Sequence, residues 1–265
     1  MGTPWGQNIR RSMRHGEAPT VLAAGSSRRE RRWSLAERSQ YAEALGLESR
    51  RALACAGAFK HNGYTESPGR KAGALSILSL DPNFILDGYR RGCFPMAESR
   101  VGTVRWFEAD PRGVIPLDIP RVPRRLRRYM KQFTFTVDTA FERVIDGCAR
   151  PRTWISLEIR AAYLELHRLG HVHSVEAWQD GELAGGLYGV HIGAAFMAES
   201  MFHLRDNAGG ACVVTLIDRL RERGFRLLDI QEVTKTTARY GGIWISKVEY
   251  LERLAAALAA PPAAF

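Results

Sequence analysis

Residues 178–202 read WQDGELAGGLYGVHIGAAFMAESMF, and after one further helix-length segment residues 227–231 read LLDIQ. The first run is a strand, a turn at Asp180-Gly181 and a second strand, because Asp-Gly between apolar stretches favours a tight hairpin. A second reversal at Ile192-Gly193 leads to a third strand carrying Glu199. Between the runs, Val213, Leu216, Ile217 and Leu220 recur at helical spacing, and Gly224 supplies the stop. The strand that follows delivers Asp229 and Gln231. Side chains two apart on a strand share a face, so a carboxylate and a carboxamide are expected side by side. That pairing suits the handling of an amine nucleophile.

Working outward, Ser156 opens a helix whose Ile159, Ala162, Tyr163 and Leu166 line one face, and Gly170 ends it. The last helix begins at Ser246-x-x-Glu249, a capping-box pattern, with Val248, Leu251, Leu254 and Leu258 as its apolar stripe. Upstream, Asp81-Pro82 opens a helix ending near Gly92. The turn Asp110-Pro111-Arg112-Gly113 precedes V-I-P-L, read as a short edge-like strand. Phe133–Val137 alternates as a strand, and Ala140–Cys148 reads as a helix. Periodicity places the chain in the α+β class. The expected division is a basic N-terminal extension over 1–75, a small N-terminal α/β domain over 76–150, and a mixed α/β domain over 151–260.

The chain has 265 residues, 45% of them hydrophobic, enough for a full core. No apolar run reaches the roughly 18 residues that a membrane-spanning helix needs, so no membrane partner is expected. Cys55, Cys93, Cys148 and Cys212 are scattered without a C-x-x-C pair, a spacing that suggests reduced thiols and a cytoplasmic location. The formal net charge of +10 favours a polyanionic partner such as RNA, although solubility charge alone would look the same. Residues 1–75 hold thirteen Lys or Arg against six acids. An RNA-affine disordered arm and an over-long start are both open there, and a ragged apolar stripe suggests a helix over 34–56. The sharper signal is Pro123–Phe133. On a helix, Arg124, Arg127, Arg128 and Lys131 fall on one side, and Leu126, Tyr129, Met130 and Phe133 on the other. These four cations are the candidate RNA contacts.

Taken together, several blocks resemble the leucyl/phenylalanyl-tRNA–protein transferases. They are Tyr89-Arg90-x-Gly92-x-Phe94-Pro95, Asp110-Pro111-Arg112-Gly113, Thr153-Trp154-Ile155 and Gly170-His171-x-His173-Ser174-x-Glu176-x-Trp178. Gly185-Gly186-x-Tyr188-Gly189-Val190, Glu199-Ser200-Met201-Phe202 and Asp229-x-Gln231 complete the ordered set. The resemblance runs from about Leu80 to Leu254. It implies a GNAT-related, acetyltransferase-like fold for the second domain. It implies transfer of Leu, Phe or Met from aminoacyl-tRNA to an N-terminal Lys or Arg, which marks the acceptor for degradation. It also implies a cytoplasmic monomer with no cofactor. Asp229 and Gln231 match the family's catalytic pair, with the Gln231 amide oxygen holding the amine and Asp229 polarising that contact. Glu199 matches the acid facing the acceptor and, with Asp229, would grip a cationic first side chain. Trp154 matches a donor-site residue, Met96 stands where some members carry Trp, and Met201 is a candidate lining residue.

The chemistry fits this demand. An ester becomes an amide, and an α-amine of pKa about 8 is already partly neutral at pH 7. Positioning and a proton relay toward the ribose hydroxyl are what the site must supply. Other motifs carry less. His171 and His173 lack a third ligand at a telling spacing, so no metal is expected. Ser200 lacks a G-x-S-x-G elbow. Gly185-Gly186-x-x-Gly189 reads as close strand packing. The sequence departs from the resemblance at His203, Gly209, Gly210, Thr236 and Arg239. These positions leave open a silent paralogue that binds RNA or protein N-termini, and a transferase with altered acceptor choice. An acyl-CoA N-acetyltransferase is a poorer match because the Asn207–Gly210 loop lacks the pyrophosphate pattern.

Overall fold

A computed structural model describes residues 64–65, 79–118, 124–150 and 153–265. The expectations for residues 1–63, including the helix over 34–56, lie outside the described residues.

The strands and helices follow the sequence signals closely. A two-residue ladder joins β1 (Tyr64–Thr65) to β2 (Ser79–Leu80). Helix α1 (Pro82–Arg90) starts with Asp81 accepting from the Asn83 N–H at 2.8 Å, and the chain leaves it at Gly92 with φ +81°. β3 (Phe94–Ala97) and β4 (Val104–Phe107) form a small antiparallel ribbon. After β5 (Arg112–Val114) come α2 (Arg124–Met130), β6 (Thr134–Val137), α3 (Phe141–Cys148) and α4 (Leu157–Arg168). β7 (Val172–Gln179), β8 (Glu182–Ile192) and β9 (Ala195–His203) form the meander, and Asp180 and Gly181 both have the positive φ of a tight hairpin turn. α5 (Ala208–Glu222), β10 (Leu227–Gln231), a 3₁₀ turn (Thr237–Tyr240), β11 (Ile243–Ile245) and α6 (Lys247–Ala259) complete the described chain.

One seven-stranded sheet runs β11-β5-β10-β9-β8-β7-β6, with β9 and β10 parallel and every other pair antiparallel. Helices α1, α3, α4 and α6 cover one face, where Ile85, Tyr89, Val144, Tyr163, Tyr250 and Leu254 are buried. Helix α5 and Leu126 of α2 cover the other. The mixed α/β architecture is therefore the expected class.

Four details differ from the sequence reading. The strand expected at V-I-P-L is β5, which begins at Arg112 and lies inside the sheet between β11 and β10. Pro116 cannot donate to a ladder, so pairing is pushed upstream. Both β5 and β6 belong to this sheet, so the boundary expected near Arg150 does not divide it. In α6 the buried face is Tyr250, Leu254 and Ala257, while Val248 is exposed. The Ser246 hydroxyl does cap it, accepting from Glu249 N–H at 3.2 Å. Cys148 and Cys212 are free and buried, and burial pushes the Cys148 thiol up to about 12, but Cys93 is disulfide-bonded. The expectation of reduced thiols holds at Cys148 and Cys212 and not at Cys93, and Cys55 lies outside the described residues.

Candidate active site

The site lies where the parallel pair comes apart. β10 follows β9 through Leu227↔Ala195, Leu228↔Phe196 and Asp229↔Met197, and goes no further. Beyond that point β10 slips in register against β5, with Asp229 opposite Val114 and Gln231 opposite Gly113. Gln231 takes φ +52°, a left-handed backbone unusual for a residue with a side chain. Glycine is required at 113, since a Cβ there would lie 2.7 Å from the Glu232 carbonyl carbon. β9 carries its own bulge: Tyr188 pairs Ser200 and Gly189 pairs Ala198, so Glu199 is the extra residue. The bulge resets the alternation. Met197 packs on the α1/α4 face before it and Phe202 on the same face after it, while Ala198 and Met201 pack on the α5 side.

Asp229 is fully buried and fully engaged. Arg112 forks onto it, Nε to Oδ1 at 2.9 Å and Nη2 to Oδ2 at 2.6 Å. The Tyr250 hydroxyl donates to Oδ2 at 2.9 Å, and the Gln231 backbone N–H donates to Oδ1 at 2.8 Å. Arg112 is itself fixed: Nη1 donates to the Gly92 carbonyl at 3.0 Å, and the guanidinium stacks on the Phe94 and Tyr250 rings. Burial opposes its charge, but the Asp229 carboxylate outweighs that and raises its pKa. The pair sits at the junction of β5, β10, α6 and the α1–β3 connection.

Glu199 differs. The Gln231 Nε2 donates to its Oε1 at 3.1 Å, and Tyr89, itself bonded to the Tyr163 hydroxyl, reaches it by a further hydrogen bond. Burial raises the Glu199 pKa to about 8; Tyr89 opposes the rise, Asp229 adds to it and Arg112 opposes it. At neutral pH most of this carboxyl is protonated. The Gln231 Oε1 is buried and has no partner among the described residues.

Asp229, Gln231 and Glu199 therefore converge, as expected. One expectation changes: with both oxygens of Asp229 taken by Arg112, Tyr250 and the Gln231 N–H, it is not free to grip a cationic substrate side chain. Its tie to Gln231 is through the backbone N–H rather than the carboxamide. Trp154 and Met96 lie on the α1/α4 face, where the Ala97 N–H donates to the Trp154 carbonyl at 3.0 Å. Trp154 is buried, and its Nε1 has no partner among the described residues. Met201 does not join them, because the bulge at Glu199 sends it to the opposite face. It lines a cleft of about 180 Å³ there, together with His203, Gly209, Gly210, Thr236 and Arg239. All five departures noted in the sequence thus surround one opening.

Helix α2 contains Arg124, Arg127 and Arg128, and Lys131 follows its end. Arg127, Arg128 and Lys131 are exposed, and Arg127 lies 3.7 Å from Asp218 of α5. The α2 sequence itself holds no acid; the partner comes from the neighbouring helix. Of the two histidines weighed as ligands, His173 Nδ1 meets Asp138 Oδ2 at 2.7 Å. Arg112, Tyr250, Tyr89 and Tyr163 escaped the sequence reading as site residues. The signal for Arg112 was present in Asp110-Pro111-Arg112-Gly113: an acid buried on a strand needs a cation, and Arg112 supplies it.

A buried carboxamide oxygen without a donor, steadied by a protonated acid, can hold an amine. Comparison with known proteins identifies the family. Residues 114–255 match the family described as leucyl/phenylalanyl-tRNA protein transferase, and residues 79–110 match its N-terminal domain. A leucyl/phenylalanyl-tRNA–protein transferase of Chlorobaculum parvum is 50% identical over 182 residues, covering 66% of this chain and 94% of the relative. One from Nitrobacter winogradskyi is 49% identical, covering 68% of this chain and 83% of its own length. One from Gloeobacter violaceus is 46% identical, with coverage of 70% and 97%. The chain belongs to the leucyl/phenylalanyl-tRNA protein transferase family.

Proposed function

We propose that this chain transfers Leu or Phe, with Met as a further donor, from aminoacyl-tRNA to the N-terminal Lys or Arg of acceptor proteins. It does so as a cytoplasmic monomer, and the product is marked for degradation. The observation that carries the reading is the unpartnered Gln231 Oε1 in a buried cluster at the splayed strands. That oxygen accepts a hydrogen bond from the acceptor's α-amine, and the Nε2 contact to Glu199 fixes its direction. The amine nitrogen attacks the ester carbonyl carbon; a C–N bond forms and the C–O bond to the ribose breaks. The proton lost by nitrogen ends on the ribose oxygen. Asp229, held by Arg112 and Tyr250, keeps Gln231 in its left-handed backbone conformation through the N–H contact. Trp154 and Met96 serve the donor's adenosine and side chain, and Arg124, Arg127, Arg128 and Lys131 the RNA backbone.

Labelled Leu and Phe, supplied on charged RNA, are to be offered to peptides differing only in the first residue. Label on Lys- and Arg-started peptides, lost in Gln231→Ala, is the expected result. Label that persists in Gln231→Ala would remove Gln231 from the reaction, and no label on any peptide would overturn the transferase reading.

A further inference from the structure

The 180 Å³ cleft lies between the end of β9, the start of α5 and the 3₁₀ turn that follows Gln231. Arg150 and Arg239 line it, and no Asp or Glu does. Arg150 is half-buried and fixed by carbonyls alone, Nε to Gly147 at 3.2 Å and Nη2 to His203 at 3.2 Å. Among the described residues neither guanidinium has a carboxylate within 4.0 Å. Guanidinium groups placed in a concave opening without a counter-charge are built to receive an anion. Burial and the nearby Arg150 charge hold His203 below the usual histidine range, so near pH 7 its ring is neutral. The backbone is shaped to the same end. A Cβ at Gly210 would collide with the Tyr240 hydroxyl, so that hydroxyl sits directly over the Gly210 main chain at the cleft wall.

The surroundings say which anion. Leu126 of α2 packs against the same Gly210, 3.6 Å from where a Cβ would stand. The cleft therefore opens beside α2, whose Arg125, Arg127 and Arg128 are exposed, with Lys131 just beyond its end. Arg205 and Lys235 are exposed on the two segments that flank the opening. Exposed cations on α2 and on both flanking segments, beside a small cleft whose lining holds no acid, outnumber the nearby Asp206 and Asp218 and fit a phosphodiester backbone better than a single side-chain carboxylate.

We propose that this cleft holds a backbone phosphate of the RNA donor, with Arg239 and Arg150 as its cationic contacts. The assignment rests on the reading that the donor is a charged RNA. It adds a second phosphate-binding place beside the α2 helix, in a cleft that Trp154 does not line. The glycines keep the main chain open at the wall, and Arg239 supplies the charge.

Binding tests this directly on the full chain, using an aminoacyl-RNA with a non-hydrolysable amide link across a series of salt concentrations. Arg239→Ala is expected to weaken binding about tenfold and to lower the slope of log K against log salt by about one. Aminoacyl-adenosine, which has no phosphate, is expected to bind the wild type and the variant alike. An unchanged salt slope overturns the proposal. So does a variant whose RNA binding is intact but whose KM shifts for peptides with an acidic residue near the N-terminus, because the cleft would then read the acceptor. Absence of transfer with an intact, Arg239-dependent salt slope would sink the transferase reading and leave the phosphate site standing.

Discussion

Asp229 and Glu199 are buried carboxylates on the two strands that separate at the site, and their surroundings could hardly differ more. Asp229 has a bidentate guanidinium, a tyrosine hydroxyl and a backbone N–H. Glu199 has a carboxamide and a tyrosine hydroxyl, and its pKa rises to about 8. A buried acid with its own cation is a structural post, charged and immobile. A buried acid without one keeps its proton instead. The site uses both: Asp229 sets the backbone of Gln231, and Glu199 sets the direction of its carboxamide. The carboxamide oxygen of Gln231 is left without a partner among the described residues, and in the function proposed above it receives the acceptor's amine.

The sharpest way to break this contrast is to take the cation from Asp229. Arg112→Met leaves a fully buried carboxylate with no counter-charge, and a loss of about 3–5 kcal/mol in denaturant unfolding is expected. Adding Asp229→Leu to that variant is expected to recover much of the loss, because two apolar side chains no longer strand a charge. If the double variant were no more stable than the single one, Asp229 would not be a charge-paired post.

The complementary test makes Glu199 unable to ionise. Its folded pKa of about 8 stands above the ordinary 4.5. The stability tied to its protonated form is therefore fully present below pH 4.5 and is lost as pH rises through about 8. Glu199→Gln is expected to flatten that part of the stability profile, removing a pH-dependent loss on the order of a few kcal/mol. Equal profiles for wild type and variant between pH 5 and 9 would mean that Glu199 is ionised in the fold.

The contrast also marks how far the sequence could be read. Hairpins, caps and stop glycines are local, and Asp180-Gly181, Ser156, Gly170 and Ser246 all act where they were expected. The nearness of Asp229 and Gln231 was legible because they are two apart in the chain, but the register slip and the backbone N–H that joins them were not. Arg112 was not, because it meets Asp229 across 117 positions of chain, and only the sheet order brings β5 beside β10. Met201 parts from Trp154 and Met96 for a related reason. A bulge at Glu199 shifts the alternation by one, and strict period-2 reading cannot see a bulge. Val248 sat on a plausible stripe, yet the helix turns Tyr250 inward, where its hydroxyl serves Asp229. Leu251, Leu254 and Leu258 of the expected stripe still pack on the core, so the reading misses only at Val248.

Gln231 lies between the two acids and should separate rate from stability. Gln231→Ala removes the free oxygen and the contact to Glu199 but leaves the backbone N–H that serves Asp229. Transfer is expected to fall about 100-fold, with a stability change smaller than that of Arg112→Met. A variant that lost stability in proportion to rate would place Gln231 among the posts rather than at the substrate.

Tyr250→Phe should give the smallest effect, and it measures how redundant the post is. The substitution deletes the hydroxyl that donates to Asp229 Oδ2 at 2.9 Å and also receives Arg112 Nη2 at 3.3 Å. Oδ2 still keeps Arg112 Nη2 at 2.6 Å, and the ring still covers the guanidinium. No buried charge is stranded, so the expected cost is only about 1 kcal/mol, that of one net hydrogen bond. A cost near that of Arg112→Met would mean that the tyrosine hydroxyl, and not the guanidinium, holds the carboxylate in place. The ion pair would then be secondary, and the distinction between the two acids would rest on hydrogen bonding rather than on charge.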